Sequence, residues 1–153
     1  MVTKPIPDGY HSLTPYLIVG NATEAIQFYE QAFKATEIFR LTQPNGKIGH
    51  AEIKIGDSPI MLADDCPDLA FHSPQTLGGT AVNLCLYVES VDAVFERAIA
   101  LGAEVLRPVA DQFYGDRAGT LKDPYGHVWT LSTHQEDLSS EELQKRFEDL
   151  VGT

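Results

Sequence analysis

A chain of 153 residues, 43% of them hydrophobic, suits one compact domain, or two small half-domains sharing a core, and leaves no room for a second large one. A formal net charge of −11, with the 11 Lys and Arg scattered along the chain, repels phosphate backbones and argues against nucleic acid as a partner. No apolar run approaches the ~20 residues of a membrane span and the opening MVTKPIPDGYHS has no signal-peptide pattern, so a cytoplasmic protein without a membrane partner is expected. Cys66 and Cys85 form no metal-ligand spacing and read as reduced thiols.

After a Pro-containing lead-in, Thr14–Val19 reads as a strand. Asn21 through Glu24 then supplies a helix cap with Glu at the third position. Ala22, Ala25, Ile26, Tyr29, Ala32 and Phe33 form one apolar stripe, which predicts a helix packed on a sheet. Strands follow at Glu37–Thr42, Ile48–Ile55 and Ile60–Ala63, giving a βαβββ module over about residues 10–64. Asp65–Thr80, rich in Pro, Gly, Ser and Asp, is the natural linker. The pattern restarts at about residue 81: Val82–Val88 is a strand, and Ser90 caps a helix over Val91–Leu101 with Gly102 past its end. The second module runs to about residue 135, its last strands flanking the turn Asp123-Pro124-Tyr125-Gly126. Ser139-Ser-Glu-Glu142 is a capping box that opens a terminal helix to about residue 150, either solvated or packed on a partner or over the cleft.

The modules are related by a fixed offset: Ile60, Met61 and Leu62 return as Trp129, Thr130 and Leu131, each 69 residues on. The fold class is therefore α+β, a duplicated βαβββ unit.

This ordered repeat, with the DPYGH turn before the final strand and the YLIV/LYVE restart, resembles the vicinal oxygen chelate superfamily of glyoxalases, bleomycin-resistance proteins and extradiol dioxygenases. The likeness is greatest to its PhnB-like members and covers roughly residues 10–135. Lys34-Ala35 departs from it, since the first helix of such proteins commonly ends in Gly. The resemblance implies two curved four-stranded sheets forming a barrel-like wall around a cleft, commonly completed by a homodimer. It also implies one divalent ion held by His, Glu or Gln from the first and fourth strands of each module. Here those places hold Thr14, Met61, Asn83 and Thr130, whose neutral oxygen and sulfur donors suit no Zn²⁺, Ni²⁺ or Fe²⁺ site. No cofactor is therefore expected, unless a divalent metal uses a displaced site drawn from His11, His50 and Glu52.

Alternation along the strands sorts the remaining candidates. Ala51, Ile53 and Ile55 should face the first helix, leaving His50, Glu52 and Lys54 toward the cleft. Pro15, Leu17, Val19, Val82, Leu84, Leu86, Val88, Trp129 and Leu131 should likewise face back. Tyr16, Asn83, Cys85, Tyr87, Thr130, Met61 and, from the 69-residue offset, Arg117 should face the cleft, with Tyr114 in a loop over it. His50 and Glu52 form a candidate proton-transfer pair, and Arg117 could take a ligand carboxylate or be neutralised by Asp116 or Glu52. The expected function is binding of a small molecule, the alternative a lyase or isomerase using a displaced metal or the His50/Glu52 pair.

Overall fold

The computed structural model describes residues 2–152. Asn21 starts α1 (Ala22–Phe33) because its backbone is extended and its side-chain oxygen accepts from Glu24 N at 3.1 Å, filling one of the vacant donors of the first turn. The helix ends at Lys34, with φ 58°, in the left-handed region that glycine usually fills. A side chain there costs about 1–2 kcal/mol.

Around α1 lies a sheet in the order β1-β4-β3-β2, made of β1 (Tyr16–Val19), β2 (Thr36–Thr42), β3 (Ile48–Ile55) and β4 (Ser58–Asp64). β1 runs parallel to β4 and the other pairs are antiparallel. Leu17, Val19, Ala51, Ile53, Ile55 and Leu62 are buried together with Ala25, Ile26, Tyr29 and Phe33 of α1, as expected; burial alternates along β1, whereas on β3 Ile48 and Glu52 of the other face are buried as well. The expected linker is not structureless. It carries one 3-10 turn at Pro67–Leu69 and the short α2 (Pro74–Leu77), whose cap Ser73 accepts from Thr76 N at 3.3 Å.

The second sheet repeats the plan in the order β5-β8-β7-β6, from β5 (Asn83–Tyr87), β6 (Glu104–Asp111), β7 (Asp116–Lys122) and β8 (Val128–His134). Trp129, Leu131 and Leu121 are buried with Val91, Phe95 and Ala98 of α3 (Val91–Ala100). Val82 lies outside β5 and is 64% exposed, so it is not part of this core as the alternation expected. Ser90 has the extended backbone of a cap but its side chain makes no capping bond. Thr133 Oγ1 takes the Val91 N–H instead, at 2.9 Å. The last helix, α4 (Ser140–Val151), is capped by Ser139 as expected and packs Phe147 against Phe113, 5.7 Å between ring centres.

The chain divides into two compact units, one of residues up to Thr80 with Pro124–Gly126, the other of Ala81–Asp123 with the chain from His127 onward. Each sheet is open, with two free edges. No helix among the described residues is long and apolar enough to cross a membrane.

One departure from the repeat matters for function. Glu52 faces Met61, nine residues on, whereas Thr120 faces Thr130, ten residues on. The second hairpin closes through Pro124-Tyr125-Gly126 and the first through Gly56-Asp57 alone, so the 69-residue offset fails on β7 by one place. A one-residue slip turns every side chain of a strand to the other face. Arg117, Gly119 and Leu121 therefore lie on the α3 side and Asp116, Ala118 and Thr120 on the open side. At Gly119 an added Cβ would stand 2.8 Å from the Phe95 ring, which fixes that face independently.

Candidate functional site

Strand alternation carries His50 and Glu52 to the face of the first sheet turned away from α1, where Tyr16 and Met61 arrive in register from β1 and β4. His50 Nε2 lies 2.9 Å from Glu52 Oε2 and His50 Nδ1 lies 2.8 Å from the Tyr16 hydroxyl. The carboxylate can only accept, so Nε2–H donates to Glu52; in the neutral imidazole Nδ1 then accepts from Tyr16, and in the imidazolium both nitrogens donate. Tyr10, in the lead-in before β1, donates its hydroxyl to Glu52 Oε1. The result is a four-member chain, Tyr16–His50–Glu52–Tyr10, with rings around it: Phe39 stands 5.7 Å from the His50 ring and Phe71 5.5 Å from Tyr16. Thr14 sits half-buried just ahead of β1, and Lys54 is half-buried opposite Thr36.

Glu52 is only 8% exposed. Burial pushes its carboxyl up, but hydrogen bonds from Tyr10 and His50 and the field of His50 together outweigh that and hold it below the usual carboxylate value. Tyr10 is shifted up, chiefly by its bond to Glu52, and Tyr16 is shifted up by burial. A carboxyl whose folded pKa is depressed adds stability that is fully present above its unfolded value and lost as pH falls through the folded value. Glu52→Gln should therefore be less stable than the parent at pH 7, with the gap narrowing below about pH 4, near the unfolded Glu value. Urea melts of both proteins from pH 3 to pH 7 read this directly, and a gap that does not depend on pH would contradict it.

The open face of the second sheet is polar. Asn83 Oδ1 accepts from Thr130 Oγ1 at 3.1 Å, Thr130 meets Thr120 at 3.0 Å, and Cys85 Sγ lies 3.8 Å from Ser132 Oγ. Tyr87 donates to Asp116 Oδ2 at 2.9 Å, and Asp116 Oδ1 lies 2.7 Å from His134 Nδ1, whose Nε2 is 2.8 Å from Asp137. The bond to Asp116, with some burial, pushes the Tyr87 phenol up to about 12. Tyr114 is shifted up by burial and by Asp116.

Arg117 does not face this side. Its guanidinium grips Asp92, in the first turn of α3, at 2.8 and 2.9 Å, and Asp111 at 3.2 Å, so it staples α3 and β6 to β7. The alternation missed Asp116 in its place, because the longer hairpin turn was not counted. Nothing in the sequence marked Tyr10, Phe39 or Phe71, which join the cluster through tertiary contacts. His11 is exposed and belongs to neither network. No group of three or more His, Cys, Asp or Glu among the described residues is arranged to hold a metal ion.

The first unit also contains a cleft of about 310 Å³ between the β2–β3 turn and the loop Cys66–Phe71. Its lining includes Phe71 and the start of β3 but neither His50 nor Glu52, so it is a separate concavity from the hydrogen-bonded chain.

Residues 10–131 match the model of a family described as the Glyoxalase/Bleomycin resistance protein/Dioxygenase superfamily. A Mycobacterium bovis protein described as uncharacterized is 41% identical over 136 residues, spanning 87% of this chain and 90% of its own. Among solved structures, the PhnB protein of Bacillus cereus is similar with a TM-score of 0.64 at 22% identity, over 80% of this chain and 99% of its own. The genomically encoded fosfomycin resistance protein FosX of Listeria monocytogenes, complexed with Mn(II) and sulfate, is similar with a TM-score of 0.63 at 24% identity, over 90% of this chain and 97% of its own.

Proposed function

Since the chain belongs to the Glyoxalase/Bleomycin resistance protein/Dioxygenase superfamily, we propose that it is a small-molecule-binding protein whose open first-sheet face holds the ligand without a metal ion. The observation that supports this most is the Tyr16–His50–Glu52–Tyr10 chain ringed by Phe39 and Phe71, since a few fixed polar atoms among aromatic rings is the usual make-up of a ligand site. Thr14, Met61, Asn83 and Thr130 offer no charge to offset a divalent ion, and Asn83 and Thr130 already satisfy one another. The buried carboxylate and the net charge of −11 favour a ligand that is cationic or amphipathic. Native mass spectrometry of the purified protein reads bound metabolite, bound metal and subunit number together. The expected result is a metal-free homodimer carrying a small molecule, at least tenfold depleted in Tyr16→Ala and His50→Ala. One tightly held transition metal per chain, or no mass shift and no thermal stabilisation across a metabolite panel, would refute the reading.

The His50–Glu52 pair favours a second reading, proton transfer at a carbon next to a carbonyl in a lyase or isomerase reaction. Glu52 holds the imidazole by Nε2 and would stabilise the imidazolium. The basic atom offered to a substrate is Nδ1, reached when the Tyr16 hydroxyl gives way. Solvent hydrogen exchange into a bound carbonyl compound, abolished in His50→Gln, separates this from binding alone.

A further inference from the structure

The cleft beside β3 is a second feature of the first unit, sharing only Phe71 with the hydrogen-bonded chain, and its walls are held by their own hydrogen bonds. On one side the turn Gln43–Lys47 is closed by Gln43 N to Lys47 O at 2.8 Å and by Lys47 N to Asn45 Oδ1 at 2.9 Å. On the other, Cys66 and Phe71 exchange backbone bonds of 2.9 and 3.0 Å around the 3-10 turn. A cleft built this way exists before any ligand arrives. Its volume of about 310 Å³ is at the small end of the roughly 300–1,000 Å³ typical of small-molecule sites, which suits a metabolite of amino-acid size.

The charges along its walls differ in how far they are already answered. Asp64 accepts from Ala22 N, the first residue of α1, and from Ile48 N, each at 2.7 Å. Asp65 Oδ1 accepts from Ser73 N at 2.6 Å and from Thr76 Oγ1 at 3.3 Å. Both oxygens of Asp64 and one oxygen of Asp65 are thus taken up by backbone amides and a hydroxyl. Lys47 and Asp68, on opposite walls, join no ion pair among the described residues, with each other or with any other group. Lys47 and Asp68 thus line, with neither a hydrogen-bonded nor an ionic partner for their side chains among the described residues, a cleft that also presents Ile48, Leu69 and Phe71.

We propose that this cleft binds an amino-acid-sized zwitterion with an apolar side chain, its carboxylate on Lys47, its ammonium on Asp68, and its side chain against Ile48 and Phe71. An ammonium on a flexible stem and a carboxylate on a turn match the two ends of such a molecule, and a ligand with one charge would leave the other wall unpaired. Gly49 contributes by omission: a Cβ there would stand 3.3 Å from the Gln43 amide, and its absence lets that side chain lie along the wall.

The test is an amide NMR titration of the full chain with L-leucine, with L-leucinamide as the cation-only analogue and 4-methylpentanoate as the anion-only one. Saturable shifts at Lys47, Gly49 and Leu69 are expected with L-leucine. Both analogues should bind at least tenfold more weakly, as should L-leucine to Lys47→Met and Asp68→Asn. Leucinamide binding as tightly as leucine, or no saturable shift at these amides, would overturn the proposal. Shifts confined to Tyr16, His50 and Glu52 would also overturn it while leaving the first-sheet ligand face standing.

Discussion

Trp129→Ala should cost about 5 kcal/mol, from about 3–5 for an aromatic core truncation and a further increment for the hydrogen bond it removes. Trp129 is 2% exposed, and its indole Nε1 donates to Asp123 Oδ2 at 2.9 Å. Asp123 is itself 2% exposed, and its other oxygen accepts from His127 N at 3.0 Å across the three-residue turn. Truncation thus opens a cavity beneath α3 and takes a donor from a buried carboxylate. Against a typical total stability of about 5–15 kcal/mol, the variant should be largely unfolded or insoluble at 37 °C. Trp129→Phe keeps most of the volume and loses only the donor, so urea melts should place it between the two. If Trp129→Phe were as stable as the parent, the indole bond would have no energetic role.

Asp64→Ala should cost about 3–4 kcal/mol, since hydrogen bonds to a charged group are worth about 1.5–3 kcal/mol each and this carboxylate accepts two. One satisfies Ala22 N at the positive end of α1 and the other fixes Ile48 N at the start of β3, so a single side chain sets both helix and strand. Asp64→Asn keeps one acceptor oxygen and turns an NH₂ group toward the second N–H. It should still cost about 2 kcal/mol, roughly half to two thirds of the alanine effect. Hydrogen exchange at Ala22 and Ile48 gives the local reading: both amides should lose protection in the alanine variant and one of the two in the asparagine variant. An asparagine variant within about 0.5 kcal/mol of the parent would contradict the two-handed role of this carboxylate.

Much of this architecture was legible in the sequence. The bounds of α1 and of β3 follow from the Asn21 cap, the apolar stripe and the alternation of Ala51, Ile53 and Ile55. That alternation also put His50 and Glu52 on one face with Tyr16, where they meet. Arg117 went astray for a specific reason: strand facing is counted from the turn, and one extra residue between β7 and β8 reverses it. The Ser73-Pro74 pair was a readable helix start that the high Gly and Pro content around it obscured. Tyr10 and Asp116 were not readable at all in local terms. Their partners lie 42 residues away at Glu52 and 29 and 18 residues away at Tyr87 and His134, and only the folded chain brings them together.

The first unit takes its last three residues, Pro124–Gly126, from a stretch far along the chain. Tyr125 is 9% exposed and meets Phe28 edge-on at 6.2 Å, while Pro124 O accepts from Gln75 Nε2 at 2.9 Å. Synthesis proceeds from the N-terminus at about 5–20 residues per second, so α1 and all four strands of the first sheet leave the ribosome several seconds before the ring that covers Phe28. During that interval the nascent chain presents an aromatic surface that the finished protein hides. A fragment ending near Thr80 would keep that surface permanently, and its solubility would depend on chaperones in a way that the whole chain's does not.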